Sequence, residues 1–263
     1  MSNKHQLKQI ADSQPYPLLF ATISGAHLYG FASPDSDYDL RGIHILPLPQ
    51  IVGLHPLQDT IEVSKITDGL ELDLVTHDVH KFFTLMLKRN GYVLEQLYSP
   101  LIVQTNAGHE ELKAIADHCI TRHHVHHYLG FAKTQWRLFN QETPPRVKPL
   151  LYLYRVLLTG IYLMQTGKIE ANLNQLNQEF NLPYIPDLVA LKVSGAEKVR
   201  IPNLNLEFHQ QEYDRLREEL ALSAQNSHLP DLATAKPALN DLIVRIRLAR
   251  SCVAGVPPVE QTS

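Results

Sequence analysis

Residues 24–42 read Ser-Gly-Ala-His-Leu-Tyr-Gly-Phe-Ala-Ser-Pro-Asp-Ser-Asp-Tyr-Asp-Leu-Arg-Gly, and this stretch decides the fold. An apolar run of Leu18, Leu19, Phe20, Ala21 and Ile23 leads into it and reads as a buried strand. Gly25 and Gly30 then permit a tight turn with a close backbone approach. The chain resumes as a partner strand over residues 39–46 and stops at Pro47. Residues two apart on a strand share a face, so Asp37 and Asp39 are expected to stand side by side. Such carboxylates repel unless a cation joins them, and oxygen-only ligands suit Mg²⁺ or Mn²⁺. A glycine turn followed by paired acids is what gripping a nucleoside triphosphate (NTP) and its metals requires.

Downstream, residues 60–67 and 70–76 flank Asp68-Gly69 and predict a tight hairpin. In Leu70-Glu71-Leu72-Asp73-Leu74 the acids alternate with leucines, so Glu71 and Asp73 both turn away from the packed face. Either can complete a three-carboxylate set; Asp73 is our choice. The period then becomes helical: Thr76 or Asp78 caps a helix with Val79, Phe82, Phe83, Met86 and Leu87 on its apolar face. A short helical patch, residues 92–98, ends at Pro100. From about residue 110 only helices are expected, at 110–140, 149–166, 171–180, 184–193, 205–226 and 232–251. Pro149 suits a first helical turn and Gly167 a helix end. The fold class is therefore α+β: a small mixed sheet with flanking helices in residues 1–105, then a helical domain in 106–252 covering the cleft. Residues 253–263, with Pro257-Pro258, are expected to form a loose tail.

The chain has 263 residues, 44% apolar and 19% charged, as globular proteins do, and a net charge of −3. That charge provides no strong basic field for a long duplex, though nucleotides and short RNA ends stay open. Two cysteines, Cys119 and Cys252, build no disulfide scaffold and fit a reducing, cytoplasmic setting. The start of the chain lacks a signal-peptide core, and residues 150–164 are interrupted by Tyr152, Tyr154, Arg155 and Gly160, so no membrane span is expected.

The stretch 23–43 resembles the DNA polymerase beta nucleotidyltransferase superfamily, whose signature is Gly-Ser, a spacer of similar length, then Asp-x-Asp. Residues 28–42 more specifically resemble the RlaP branch, nucleotidyltransferases associated with RNA repair. Residues 73–82, 91–100 and 148–155 fit that branch too, and the likeness covers most of residues 18–167 and continues weakly to about 200. The resemblance implies Asp37 and Asp39 as metal ligands and Asp73 as the third carboxylate. It implies a two-metal transfer of a nucleoside monophosphate from an NTP to an acceptor hydroxyl, with pyrophosphate leaving. An RNA end is the implied acceptor; the alternatives are a protein, as in antitoxin-like relatives, a small molecule, or a catalytically weak regulatory module. The last is raised by Ala26, which stands where the superfamily has serine and removes a hydroxyl donor worth ~1–3 kcal/mol to a phosphate.

Nucleotide-binding candidates are Ser24, Gly25 and Gly30 in the turn, Tyr29 between them, and Ser36, which with Ser24 can replace the missing hydroxyl. Arg41 shares the face of Asp39 and either balances the acids or touches a phosphate. Lys148, Tyr152 and Arg155 follow i, i+4, i+7 spacing and share a helix face, making Lys148 and Arg155 candidate partners of the leaving pyrophosphate. His123, His124, His126 and His127 invite a zinc reading, yet lack matching Cys or acid ligands and are read as a titratable surface patch. Trp136 is expected in the core, and Arg245, Arg247 and Arg250 on a solvated face.

Overall fold

The computed structural model describes residues 3–54, 57–67, 69–195, 200–201 and 204–251. Its centre is a five-stranded mixed sheet in the order β3-β4-β2-β1-β5, made of β1 (Leu18–Ile23), β2 (Tyr38–His44), β3 (Thr60–Thr67), β4 (Leu70–Asp78) and β5 (Ile102–Gln104). β1 pairs antiparallel with β2 and β5, β3 antiparallel with β4, and β2 parallel with β4. The hairpin forms as expected, with Gly69 at φ +79°; Asp68 lies outside the described residues.

Alternation splits the sheet into two faces. Leu40, Leu70, Leu72 and Leu74 pack beneath helix α1 (Asn3–Asp12) through Leu7, Ile10 and Ala11. That helix is mostly polar in sequence and is not among the expected elements; its tertiary contacts, not propensity, make it visible. On the other face, Phe20 and Ile43 join a large cluster with α4 (Val79–Leu87) and α5 (Gly91–Leu97). Asp78 is the cap of α4, its side chain accepting from His80 N at 3.0 Å.

The helical region follows as α6 (Ala107–Ala116), α7 (Val125–Asn140), α8 (Val147–Thr166), α9 (Leu173–Phe180), α10 (Ile185–Ser194), α11 (Leu206–Gln225) and α12 (Lys236–Ser251). The single helix expected over 110–140 is instead two, joined by short 3-10 turns. Extended Ile120 and Thr121 break it, and Thr121 restarts the chain through a reciprocal capping box with His124. α8 is the spine of this region. It satisfies length and composition for a membrane crossing, contrary to the sequence reading, but 83% of the apolar window is buried among neighbouring helices. Gly167, at φ +74°, ends it. Trp136 is partly buried, stacked on Tyr213 at 4.9 Å.

α12 returns to the sheet end. Arg247 donates to Asp78 at 2.6 Å and to the Leu46 carbonyl at 2.7 Å, and all three residues are buried. Arg245 pairs with Glu111 and Asp241. Of the expected solvated stripe, Arg247 is thus buried while Arg245 stays on the exposed face; the Arg250 side chain, Cys252 and the tail 253–263 lie outside the described residues.

Candidate active site

The turn between β1 and β2 contains a short helix, α2 (Gly25–Tyr29), whose C-cap is Gly30. Gly25 has φ +60°, and a Cβ there would lie 1.7 Å from Asp39 Oδ2, so the acid is seated directly against the glycine backbone. Only glycine fits. Asp39 itself is fixed by β2, where its carbonyl accepts from Ser24 N at 2.8 Å.

Parallel pairing of β2 with β4 places Asp39 opposite Asp73. This decides between the two acids of β4: Glu71 lies before the first paired residue, Leu72, and is exposed. A single nitrogen joins the pair. Arg41 Nη2 donates to Asp39 Oδ1 at 2.6 Å and to Asp73 Oδ2 at 2.8 Å. Arg41 Nη1 donates to the Asp73 and Leu40 carbonyls at 2.6 and 3.1 Å, and Nε to Tyr92 Oη at 3.3 Å. The remaining oxygen of Asp73 accepts from Ser64 Oγ at 3.1 Å. Burial raises the Asp39 pKa; Arg41 and Lys148 pull it back, while Asp37 and Asp73 push it further up. Burial disfavours the Arg41 charge, but Tyr92 and Asp39 outweigh it and hold the guanidinium firmly protonated.

Other expected site residues divide sharply. Asp37 precedes β2 rather than lying within it, so strand alternation does not set it beside Asp39. It acts on Asp39 electrostatically, but among the described residues no three His, Cys, Asp or Glu side chains converge on one point. Lys148 is near enough to bias Asp39, and its Nζ lies 5.8 Å from the Tyr152 ring centre. Ser24 Oγ is buried without a hydrogen-bond partner, whereas the Ser36 hydroxyl is turned to Ser33 at 3.0 Å. Of the two hydroxyls only Ser24 Oγ lacks a partner, and it is wholly buried.

Three candidates are corrected. Arg155 is 2% exposed and paired with the equally buried Glu95 at 2.7 Å, so it does not face a leaving pyrophosphate. Tyr29 is also 2% exposed; its ring lies 4.0 Å from the Arg155 guanidinium and its hydroxyl serves Glu95, leaving no face for a base. Gly30 caps α2 and presses on α9, where a Cβ would meet Asn172 Oδ1 at 2.5 Å; it is a packing glycine, not a phosphate cradle. The histidines also divide: burial pushes His124 and His127 down to about 4, while His123 and His126 stack on each other outside.

Two partners escaped the sequence reading. Ser64 had a signal, because a two-residue turn at 68–69 forces 64 opposite 73 in the hairpin register. Tyr92 had none, as nothing local ties it to Arg41.

The two in-register carboxylates are oxygen donors of the kind a divalent metal takes; Asp39 and Asp73 would hold it, and Asp37 would have to approach to complete a set of three.

The site thus consists of a mixed sheet presenting paired acids across parallel strands, beside a glycine-led turn. The chain belongs to RlaP, the RNA repair pathway DNA polymerase beta family, whose model it matches over residues 2–245. The match extends beyond the expected likeness at both ends, which covers most of residues 18–167 and continues weakly to about 200. Among relatives, it is 32% identical over 156 residues to the uncharacterized protein MJ0002 of Methanocaldococcus jannaschii, covering 59% of this chain and 63% of that protein. It is 27% identical over 166 residues to the uncharacterized protein YcgL of Bacillus subtilis, covering 62% and 63%. The chain thus spans just under two thirds of each.

Proposed function

We propose that the protein transfers a nucleoside monophosphate from an NTP to the hydroxyl of an RNA end, using Asp39 and Asp73 as the central acid pair. The observation that carries this reading is their in-register placement across parallel strands with one cationic nitrogen between them. Asp39, Asp73 and an approaching Asp37 would hold divalent metal, which when bound lowers the pKa of an attacking hydroxyl and neutralises charge on the leaving group.

The rest falls to the chain's own groups. Gly25 lets the backbone approach the acids without a side chain between them. Ser24 Oγ, unpartnered but wholly buried, can donate to a phosphate oxygen once the glycine turn opens to admit one. Lys148, on the side of Asp39, supplies positive charge toward a polyphosphate. Arg155 and Tyr29 act at one remove, by fixing α8 against α2 and α5 and so positioning Lys148 two turns earlier on α8. Membership of an RNA repair family supports an RNA end as the acceptor.

The test is incubation with each labelled NTP, Mg²⁺ or Mn²⁺, and either RNA fragments or cell extract. Label on RNA supports the proposal. Label on protein alone moves the acceptor to a polypeptide. Label on neither, despite nucleotide binding, makes the protein a regulatory module.

A further inference from the structure

Two carboxylates joined by a single guanidinium nitrogen pose a problem for any divalent ion meant for the same oxygens. Arg41 Nη2 lies 2.6 Å from one acid and 2.8 Å from the other. A guanidinium and a dication compete for those two oxygens in a half-buried site, because like charges at contact repel.

Arg41 is built to leave only partway. Of its three nitrogens, Nη2 alone touches the acids; Nη1 holds the Asp73 and Leu40 carbonyls and Nε holds Tyr92 Oη. Those anchors do not involve the carboxylates, so the group can give up Nη2 and keep its place beside the site. A planar fork with several donors allows this, where a lysine ammonium would not.

We infer that Arg41 is the site's resident counter-cation: it neutralises Asp39 and Asp73 in the metal-free protein and yields them when metal arrives with a triphosphate. Resting on the acid-pair reading above, this adds an order of events. Metal alone competes with Arg41 and binds weakly. Metal carried by an NTP brings negative charge that accepts the displaced guanidinium, so both cations find partners at once. The protein is thereby kept from idling with metal but no substrate.

The test measures free Mn²⁺ by electron paramagnetic resonance, with Mn²⁺ as the only added ligand. Arg41→Met is expected to bind Mn²⁺ about tenfold more tightly than wild type or better, as removal of a contacting charge shifts such equilibria. Its metal-free melting temperature should fall and recover on adding Mn²⁺. Arg41→Lys, which keeps the charge, should stay within about threefold of wild-type affinity. Equal affinity in wild type and Arg41→Met, with Asp39→Asn weaker than both, overturns the role of Arg41 and leaves the acid-pair reading standing. Equal affinity in wild type and Asp39→Asn sinks the acid-pair reading itself. If Arg41→Met does not fold without metal, the wild type decides through its arginine Nε–H resonances, that of Arg41 identified by its absence in Arg41→Lys. This signal must move when Mg²⁺ and a non-hydrolysable triphosphate are added; an unmoved signal at saturation refutes displacement.

Discussion

Arg155 and Arg41 both meet carboxylates, and their settings differ in one decisive way. Arg155 and Glu95 form a closed pair in the interior, one charge to one charge, with side chains 2% and 1% exposed. Arg41 meets two acids at the sheet, one of them 36% exposed, with Asp37 adding a third negative group in electrostatic range. The interior pair is balanced and can only be broken. The sheet pair carries surplus negative charge and an open side, so it can accept another cation. Pairing geometry is similar in both; stoichiometry and access separate a structural bridge from a working site.

The largest effect expected from breaking this contrast is on chemistry. Asp39→Asn should lower nucleotidyl transfer by about 10³-fold or more, as for groups whose loss removes transition-state stabilisation. Its urea midpoint should shift little, because Arg41 retains Asp73. A large loss of stability instead would mean that the sheet pair is as structural as the interior one.

Arg155→Met should do the opposite, costing about 3–5 kcal/mol in urea unfolding by leaving Glu95 buried and uncompensated. Burial already raises the Glu95 pKa, with Arg155 and Tyr29 holding it back. Without Arg155 the folded pKa climbs further. An acid with a raised folded pKa destabilises above its unfolded pKa, so the variant's deficit should shrink as pH falls from 8 to 5. A pH-independent deficit would assign the loss to packing.

Acid should also act on the wild type through histidines away from the acid pair. His44, His124 and His127 are held down to about 4, chiefly by burial. Their neutral forms contribute stability that is whole above the unfolded value near 6.5 and is lost as pH falls toward 4. At about 1.4 kcal/mol per group per pH unit, unfolding at pH 7 and pH 5.5 should differ by roughly 3 kcal/mol. No difference would place these rings in contact with water.

The smallest effect belongs to Ser24. Removing an unpartnered buried hydroxyl should leave stability within about 1 kcal/mol or improve it. Ser24→Ala should nevertheless weaken triphosphate binding by about tenfold in calorimetry. Unchanged binding would leave that orphan hydroxyl without a role.

Legibility followed the range of the interactions. β1, the hairpin and α4 were readable because apolar alternation, an Asp-Gly turn and a capping acid are local. Asp39, Arg41 and Asp73 were readable because strand alternation fixes their faces. Asp37 was misplaced when alternation was carried one residue beyond the start of β2 at Tyr38. For Arg155, helical spacing told which residues share its face but not which way that face points. Glu95, its partner, is 60 positions earlier, and no local pattern links them. Gly30 read as a phosphate turn because its contact with Asn172 and Asn174 lies across the tertiary fold.

The most direct test is a crystal of the protein with Mn²⁺ and a non-hydrolysable triphosphate, with the metal located by its anomalous signal. The account predicts Mn²⁺ against the carboxylate oxygens of Asp39 and Asp73, with Arg41 Nη2 withdrawn toward the phosphates. Mn²⁺ bound elsewhere, or Arg41 still bridging both acids with nucleotide in place, would contradict it.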